Sequence, residues 1–241
     1  ITEMSDLSKL DISKPGVISF IRGMQGVQFI SLFVVPAVIC LRLFTTDSRK
    51  YLGLKQPSHQ GYIIAGIGVM LIAIPFTSWL GELNRNIPFP SGMANWMKAQ
   101  EEDAANTIKA LLSRHTVKDL LLNLIFIAGL AAVGEELLFR GMAQRLLIKI
   151  FKNHWAGIIV SAAIFSAMHM QFYGFLPRFA LGVLLGVMYW YSGSLWVAIL
   201  AHFVYDAVLI VLAYFYPEML DDENTMQFSS LALGGIISLS L

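Results

Sequence analysis

The chain is a succession of apolar stretches long enough to cross a membrane, and this constrains its fold more than any other feature. Residues 24–44, 61–80, 119–151, 155–170, 172–191 and 195–216 are apolar over most of their length; 228–241 starts a seventh stretch too short to cross fully. A spanning helix needs about 20 predominantly apolar residues. Lipid offers no hydrogen bonds to the backbone, so a spanning segment must satisfy its own polar groups, as a helix does. Of the 241 residues 56% are hydrophobic and 14% charged, with a mean hydropathy of +0.65. Soluble domains are about 25% charged. The expectation is an all-α, polytopic transmembrane bundle of about 7–8 spans, the last truncated, forming one integral-membrane domain over 1–241.

Between the spans the chain is more polar. Residues 1–15 read as a mixed-charge tail ending at Pro15. The first span contains Pro36, which a membrane helix tolerates when neighbours satisfy the freed carbonyl. Residues 81–118 form an extramembrane insert whose segment Trp96–Leu112 has apolar residues at helical spacing. It is expected to be an amphipathic helix on or above the membrane surface, with Glu101, Glu102 and Asp103 on a solvated face. At about 1.5 Å per residue, 119–151 would be roughly 50 Å long, more than a bilayer core of about 30 Å requires. The helix must tilt, protrude or break, with Gly134 or Gly141 as the weak point. Gly182 and Gly186 give the fifth span a small face for close packing. Ser192-Gly193-Ser194 reads as a tight turn, and Pro217 stops the sixth span.

Basic residues set the orientation. Arg49, Lys50 and Lys55 follow the first span, and Arg145, Lys149 and Lys152 follow the third. If every span crosses once, both groups share a side, cytoplasmic by the positive-inside rule. The acidic 217–227 loop then lies outside, with the 81–118 insert. The net charge of +1 gives no hint of a nucleic-acid partner, and Cys40, the single cysteine, excludes an intrachain disulfide. The chain opens on Ile1 and stops inside an apolar run, so trimmed ends are expected; no signal peptide is visible.

Against this background the ionisable residues inside the spans stand out. Such groups are costly in lipid and face a partner or a cavity. Glu136 and Arg140 are four residues apart on one helix face and can pair. Glu135 lies about 100° round the helix and is the carboxylate left over, placed as a general base would be. His169 ends one later span, and His202 and Asp206 share a face of another. The simplest packing gathers all six around one cavity. Taken singly, a Glu–Arg pair can be a structural clamp and a membrane histidine an interhelical hydrogen bond. His59, His115 and His154 fall in loops and read as solvated.

Together the motifs Glu135-Glu136-xxx-Arg140, Phe165-xxx-His169 and His202-xxx-Asp206 resemble those of the CPBP family of intramembrane proteases. That family comprises CAAX proteases and bacteriocin-processing enzymes, and its eukaryotic members include the prenyl-protein endopeptidases. Gly193-Ser194-Leu195 is similar as well. The resemblance covers 119–210, the expected catalytic core. It implies a metal-independent glutamate peptidase without cofactor. In that scheme Glu135 activates water, His169 helps hold it, and His202 and Asp206 bind the oxyanion. Glu136 and Arg140 would be the supporting pair.

Asp206 stands where several family members have asparagine. An ionised carboxylate would repel an oxyanion, so Asp206 is either protonated or bonded to His202, keeping that ring charged and oriented. The i,i+4 spacing favours the second. Zinc held by Glu135, His169 and His202 is the alternative, although the His-Glu-x-x-His pairing is missing. A transporter would show internal repeats, and none is seen. A catalytically silent scaffold or immunity protein on a protease fold is the further alternative. The expected partners are the lipid bilayer, a peptide or membrane-protein substrate and another membrane protein. The expected location is a bacterial inner membrane, in multi-pass form.

Overall fold

The computed structural model describes residues 16–220. The tail 1–15, the acidic residues from 221 onward and the partial span 228–241 lie outside the described residues. Eight helices follow in order: α1 (Val17–Phe44), α2 (Ser48–Leu52), α3 (Gly61–Arg85), α4 (Ser91–Leu112), α5 (Val117–Phe151), α6 (His154–Met168), α7 (Phe172–Ser192) and α8 (Leu195–Phe215). Among the described residues, α1, α3, α5, α7 and α8 are long and apolar enough to cross a membrane. The protein is a helical membrane bundle. Exposed side chains such as Ile30, Leu43, Ile64 and Ile72 point outward, as lipid-facing residues should.

The expected fourth span is shorter than the reading of 155–170. Helix α6 has 15 residues, about 22 Å of rise against a core of about 30 Å. It ends because Met170 turns into the left-handed region, φ 58°. The irregular turn that follows is satisfied by protein groups. Asn84 of α3 donates from Nδ2 to the Phe172 carbonyl at 2.9 Å and accepts from the Leu176 amide at 2.7 Å. Ser166 donates to the Phe175 carbonyl at 2.7 Å. Irregular backbone at membrane depth requires such partners.

Helix α5 keeps its full 35 residues and does not break. It is locally underwound into π-helical turns at Leu124–Gly129 and Phe139–Ala143, the second of which contains Gly141. Gly134 is a packing position: a Cβ there would stand 2.8 Å from the Phe33 ring of α1. The α5–α6 and α6–α7 contacts are equally close. A Cβ on Gly157 would meet Ile148 at 2.4 Å, and one on Gly182 would meet the Ala162 Cβ at 3.1 Å. Glycine removes the side chain that would hold these helices apart.

Both basic stretches meet at one end of the bundle. Arg145 donates to the Tyr189 hydroxyl at 2.9 Å and lies 4.8 Å over the Tyr51 ring. The Leu195 amide donates to the Gly53 carbonyl at 2.9 Å, tying the 192–194 turn to the 45–60 loop. At the opposite end α4 caps the bundle. Its stripe of Met97, Glu101, Ala104, Ala105 and Ile108 is buried, so protein and not lipid covers the apolar face. Glu101 therefore departs from the expected solvated cluster: it is buried, and only Glu102 and Asp103 remain exposed. His59 and His115 are exposed as expected. His154 is half-buried, with its ring stacked on Trp190 at 5.0 Å.

Candidate active site

Helix α5 presents Glu135 and Glu136 on the α-helical stretch between its two π turns, at mid-length and fully inside the bundle. The i,i+4 geometry lets Arg140 Nη1 donate to Glu136 Oε1 at 2.8 Å. Arg140 Nη2 donates to the Gly182 carbonyl of α7 at 2.8 Å. Its guanidinium also sits 4.8 Å over the Phe165 ring of α6. A cation buried at 1% exposure thus has a carboxylate, a carbonyl and a ring face around it, which is what burial of a charge demands.

Phe165 has a second task. Its carbonyl accepts from His169 Nδ1 at 2.8 Å. A carbonyl can only accept, so Nδ1 carries the proton and Nε2 faces the opposite way. That way lies Glu135: His169 Nε2 is 3.9 Å from Glu135 Oε1. The second carboxylate oxygen, Oε2, is 3.9 Å from Nε2 of His202 on α8. His202 Nδ1 lies 2.9 Å from Glu136 Oε1, and its Nε2 lies 3.3 Å from Asp206 Oδ2. Both ring nitrogens of His202 therefore face carboxylates.

All six side chains singled out in the sequence fall in one cluster drawn from α5, α6 and α8, each at most 2% exposed. Chemically the cluster offers a carboxylate flanked by two imidazoles, with a charged pair behind it. Among the described residues, no three His, Cys, Asp or Glu side chains are grouped as metal ligands.

Sequence reading missed two features. Glu136 serves His202 as well as Arg140. A second buried polar group lies beside the cluster: Arg178 of α7, fully buried, donates from Nη1 to Gln171 Oε1 at 2.8 Å. The rule that picked out Glu135 would have found Arg178, an ionisable residue in an apolar span.

A helical membrane bundle with a buried Glu–His cluster defines the class, and comparison with known proteins narrows it. A family model described as "Type II CAAX prenyl endopeptidase Rce1-like" matches residues 117–208. The uncharacterized protein YpbD of Bacillus subtilis (strain 168) is 31% identical over 181 residues, covering 73% of this chain and 82% of that protein. An uncharacterized 24.3 kDa protein of Escherichia coli is 29% identical over 100 residues, covering 38% of this chain and 44% of its own. No solved structure matches. The chain belongs to the Rce1-like family of CAAX-type intramembrane proteases.

Proposed function

We propose that the protein is an intramembrane endopeptidase that cleaves a membrane-associated peptide or protein with water activated by Glu135. The observation that carries this reading is the position of Glu135, each of whose oxygens stands 3.9 Å from an imidazole Nε2. That spacing is too long for a direct hydrogen bond and suits a water held between carboxylate and ring.

In the proposed reaction Glu135 takes a proton from water as the oxygen attacks the scissile carbonyl carbon. His169 Nε2 accepts from the same water and orients it. The carbonyl π electrons move to oxygen, and the resulting oxyanion is stabilised by the His202 ring. Glu136 and Asp206 keep that ring charged and directed. Glu135 then returns its proton to the amide nitrogen as the oxyanion re-forms the C=O bond, the C–N bond breaks, and a carboxylic acid and an amine leave, the acid's proton passing to the amine. Charge stabilisation of this kind is strongest in a dry site. Arg140 acts indirectly, by holding Glu136. No metal or cofactor enters this scheme.

The family's description makes a prenylated C-terminal peptide the first substrate to try, with an unmodified transmembrane peptide second. The location that fits is a bacterial inner membrane with the basic end of the bundle in the cytoplasm. The experiment is substrate trapping: Glu135→Gln, solubilised from its own membrane, should retain a peptide that the wild type cleaves. If Glu135→Gln or Glu135→Ala still turns that peptide over at the wild-type rate, the reading fails.

A further inference from the structure

The basic end of the bundle gathers two cations over one ring. Arg145 and Lys149 are four residues apart on α5 and share a face. Arg145 Cζ stands 4.8 Å and Lys149 Nζ 5.6 Å from the centre of the Tyr51 ring, which α2 supplies. Like charges at this spacing repel, and a ring face offsets only part of that repulsion. Among the described residues neither cation is paired with a carboxylate; the arginine and lysine ion pairs are those of Arg22, Arg140 and Lys98.

Arg145 is also short of acceptors. Its Nη1 donates to the Tyr189 hydroxyl at 2.9 Å, and that hydroxyl donates in turn to the Leu52 carbonyl at 3.2 Å. Its Nε is buried with no hydrogen-bond partner. The guanidinium is therefore fixed in place without being neutralised. Lys149 is exposed.

These cations border a lipid-facing surface. Leu146 and Ile150 each follow one of them in the chain, are 45% and 60% exposed, and form a second row with the same spacing. It lies about 100° round the helix from the cationic row. A phospholipid has the matching form, with a charged phosphate at the surface and apolar chains in the core. A free anion or an acidic peptide would answer the cations and leave the apolar row unused. Basic pockets between helices on the cytoplasmic side suit anionic head groups, and tyrosine suits the interface at which such head groups lie.

We propose that Arg145, Lys149 and Tyr51 form a binding site for the phosphate of an anionic phospholipid, whose acyl chains lie along Leu146 and Ile150. The phosphate oxygens accept from Lys149 Nζ and from guanidinium donors that no protein group takes up, and such charge-assisted bonds are the strong ones. Through Tyr189 and Leu52 the site joins α5, α7 and α2, so a bound lipid braces the end of the helix that carries Glu135.

The full-length protein in dodecyl maltoside is titrated with dioleoyl phosphatidylglycerol, with dioleoyl phosphatidylcholine and with inorganic phosphate. Native mass spectrometry reads binding, and thermal unfolding reads stabilisation. Phosphatidylglycerol should bind about tenfold more tightly than phosphatidylcholine and should raise the melting temperature, as a ligand of the folded state does. Phosphate alone should not. Lys149→Gln should fold like the wild type, because Lys149 is exposed, and should weaken phosphatidylglycerol binding about tenfold. Lys152→Gln removes a charge from the same end outside the site and should change binding less than about twofold. Arg145→Gln also loses the Tyr189 contact, so its readout is the preference between the two lipids, which should fall about tenfold.

Equal binding of the two lipids would overturn the site and leave a generic lipid contact. Equal losses in Lys149→Gln and Lys152→Gln would overturn it in favour of a diffuse basic surface. Stabilisation by inorganic phosphate as large as that by phosphatidylglycerol would overturn the lipid as ligand.

Discussion

Oε1 of Glu136 serves two partners at once: Arg140 Nη1 at 2.8 Å on its own helix, and His202 Nδ1 at 2.9 Å, 66 residues further along the chain. The α5 carboxylate thereby ties α8 to the Arg140 that grips α7. Truncation by Glu136→Ala would leave the buried guanidinium without its paired carboxylate and the buried imidazole without one of its two. Removing one partner of a buried pair costs about 3–5 kcal/mol. The expected outcome is a large loss of melting temperature in detergent together with loss of cleavage; Glu136→Gln should retain more of the fold than Glu136→Ala.

Asp206 can be assigned by a single exchange. Its Oδ2 lies 3.3 Å from His202 Nε2, close enough to act on the ring directly. Asp206→Asn should therefore fold and lose about a hundredfold in kcat, the scale of one electrostatic contact to a developing charge. Near-normal activity in the asparagine variant would mean that the side chain works as a hydrogen-bond donor.

Gly157 separates fold from chemistry. A Cβ there would stand 2.8 Å from the Ile148 backbone nitrogen and 2.4 Å from its Cγ1. Backbone cannot rotate aside, so Gly157→Ala must push α6 from α5. Overpacking of this kind costs about 1–3 kcal/mol. Thermal unfolding should show the loss; an unchanged melting temperature would mean that the helices part without cost.

Metal dependence is tested directly. Cleavage should survive extended treatment with a strong zinc chelator, and elemental analysis of active protein should find far less than one zinc per chain. Stoichiometric zinc with chelator-sensitive turnover would favour Glu135, His169 and His202 as ligands.

Burial pushes the Glu101 carboxyl up from its ordinary value of 4.5, against the opposing pull of the Arg178 and Arg85 charges. A raised folded-state value means that the folded protein binds this proton more tightly than the unfolded chain. The resulting stabilisation is complete below the unfolded value and is lost as pH rises through the folded one. Between those limits the wild type should lose melting temperature relative to Glu101→Gln, which carries no proton there. Parallel curves for the two proteins would contradict this.

Much of the site was legible because its local geometry repeats along one helix. Glu136–Arg140 and His202–Asp206 are i,i+4 pairs, and both form. Even the tautomer of His169 is set by a carbonyl four residues back, that of Phe165. Glu101 was misjudged because it was grouped with its sequence neighbours Glu102 and Asp103. Its spacing from Met97, Ala104 and Ile108 places it on the apolar stripe, and that stripe is the buried one. Arg178 was open to the rule that picked out Glu135, as an ionisable residue in an apolar span; only its partner Gln171, in a turn with no helical period, was beyond it.

From the sequence alone come the membrane helices, the pairs within each helix and the set of polar groups that lipid would not accept. Helical period and the cost of burying charge are enough for those conclusions. Only the tertiary structure decides which oxygen of which glutamate meets which ring. That depends on how each helix is rotated and how deep it sits. Rotation and depth follow from close contacts between distant residues, such as Gly182 against Ala162 and Gly134 against Phe33. The turn after α6 is of the same kind. The sequence ends the run at residue 170, close to the stop at Met168, but the form of the turn is set by Asn84 of α3 and Arg178 of α7, which satisfy it.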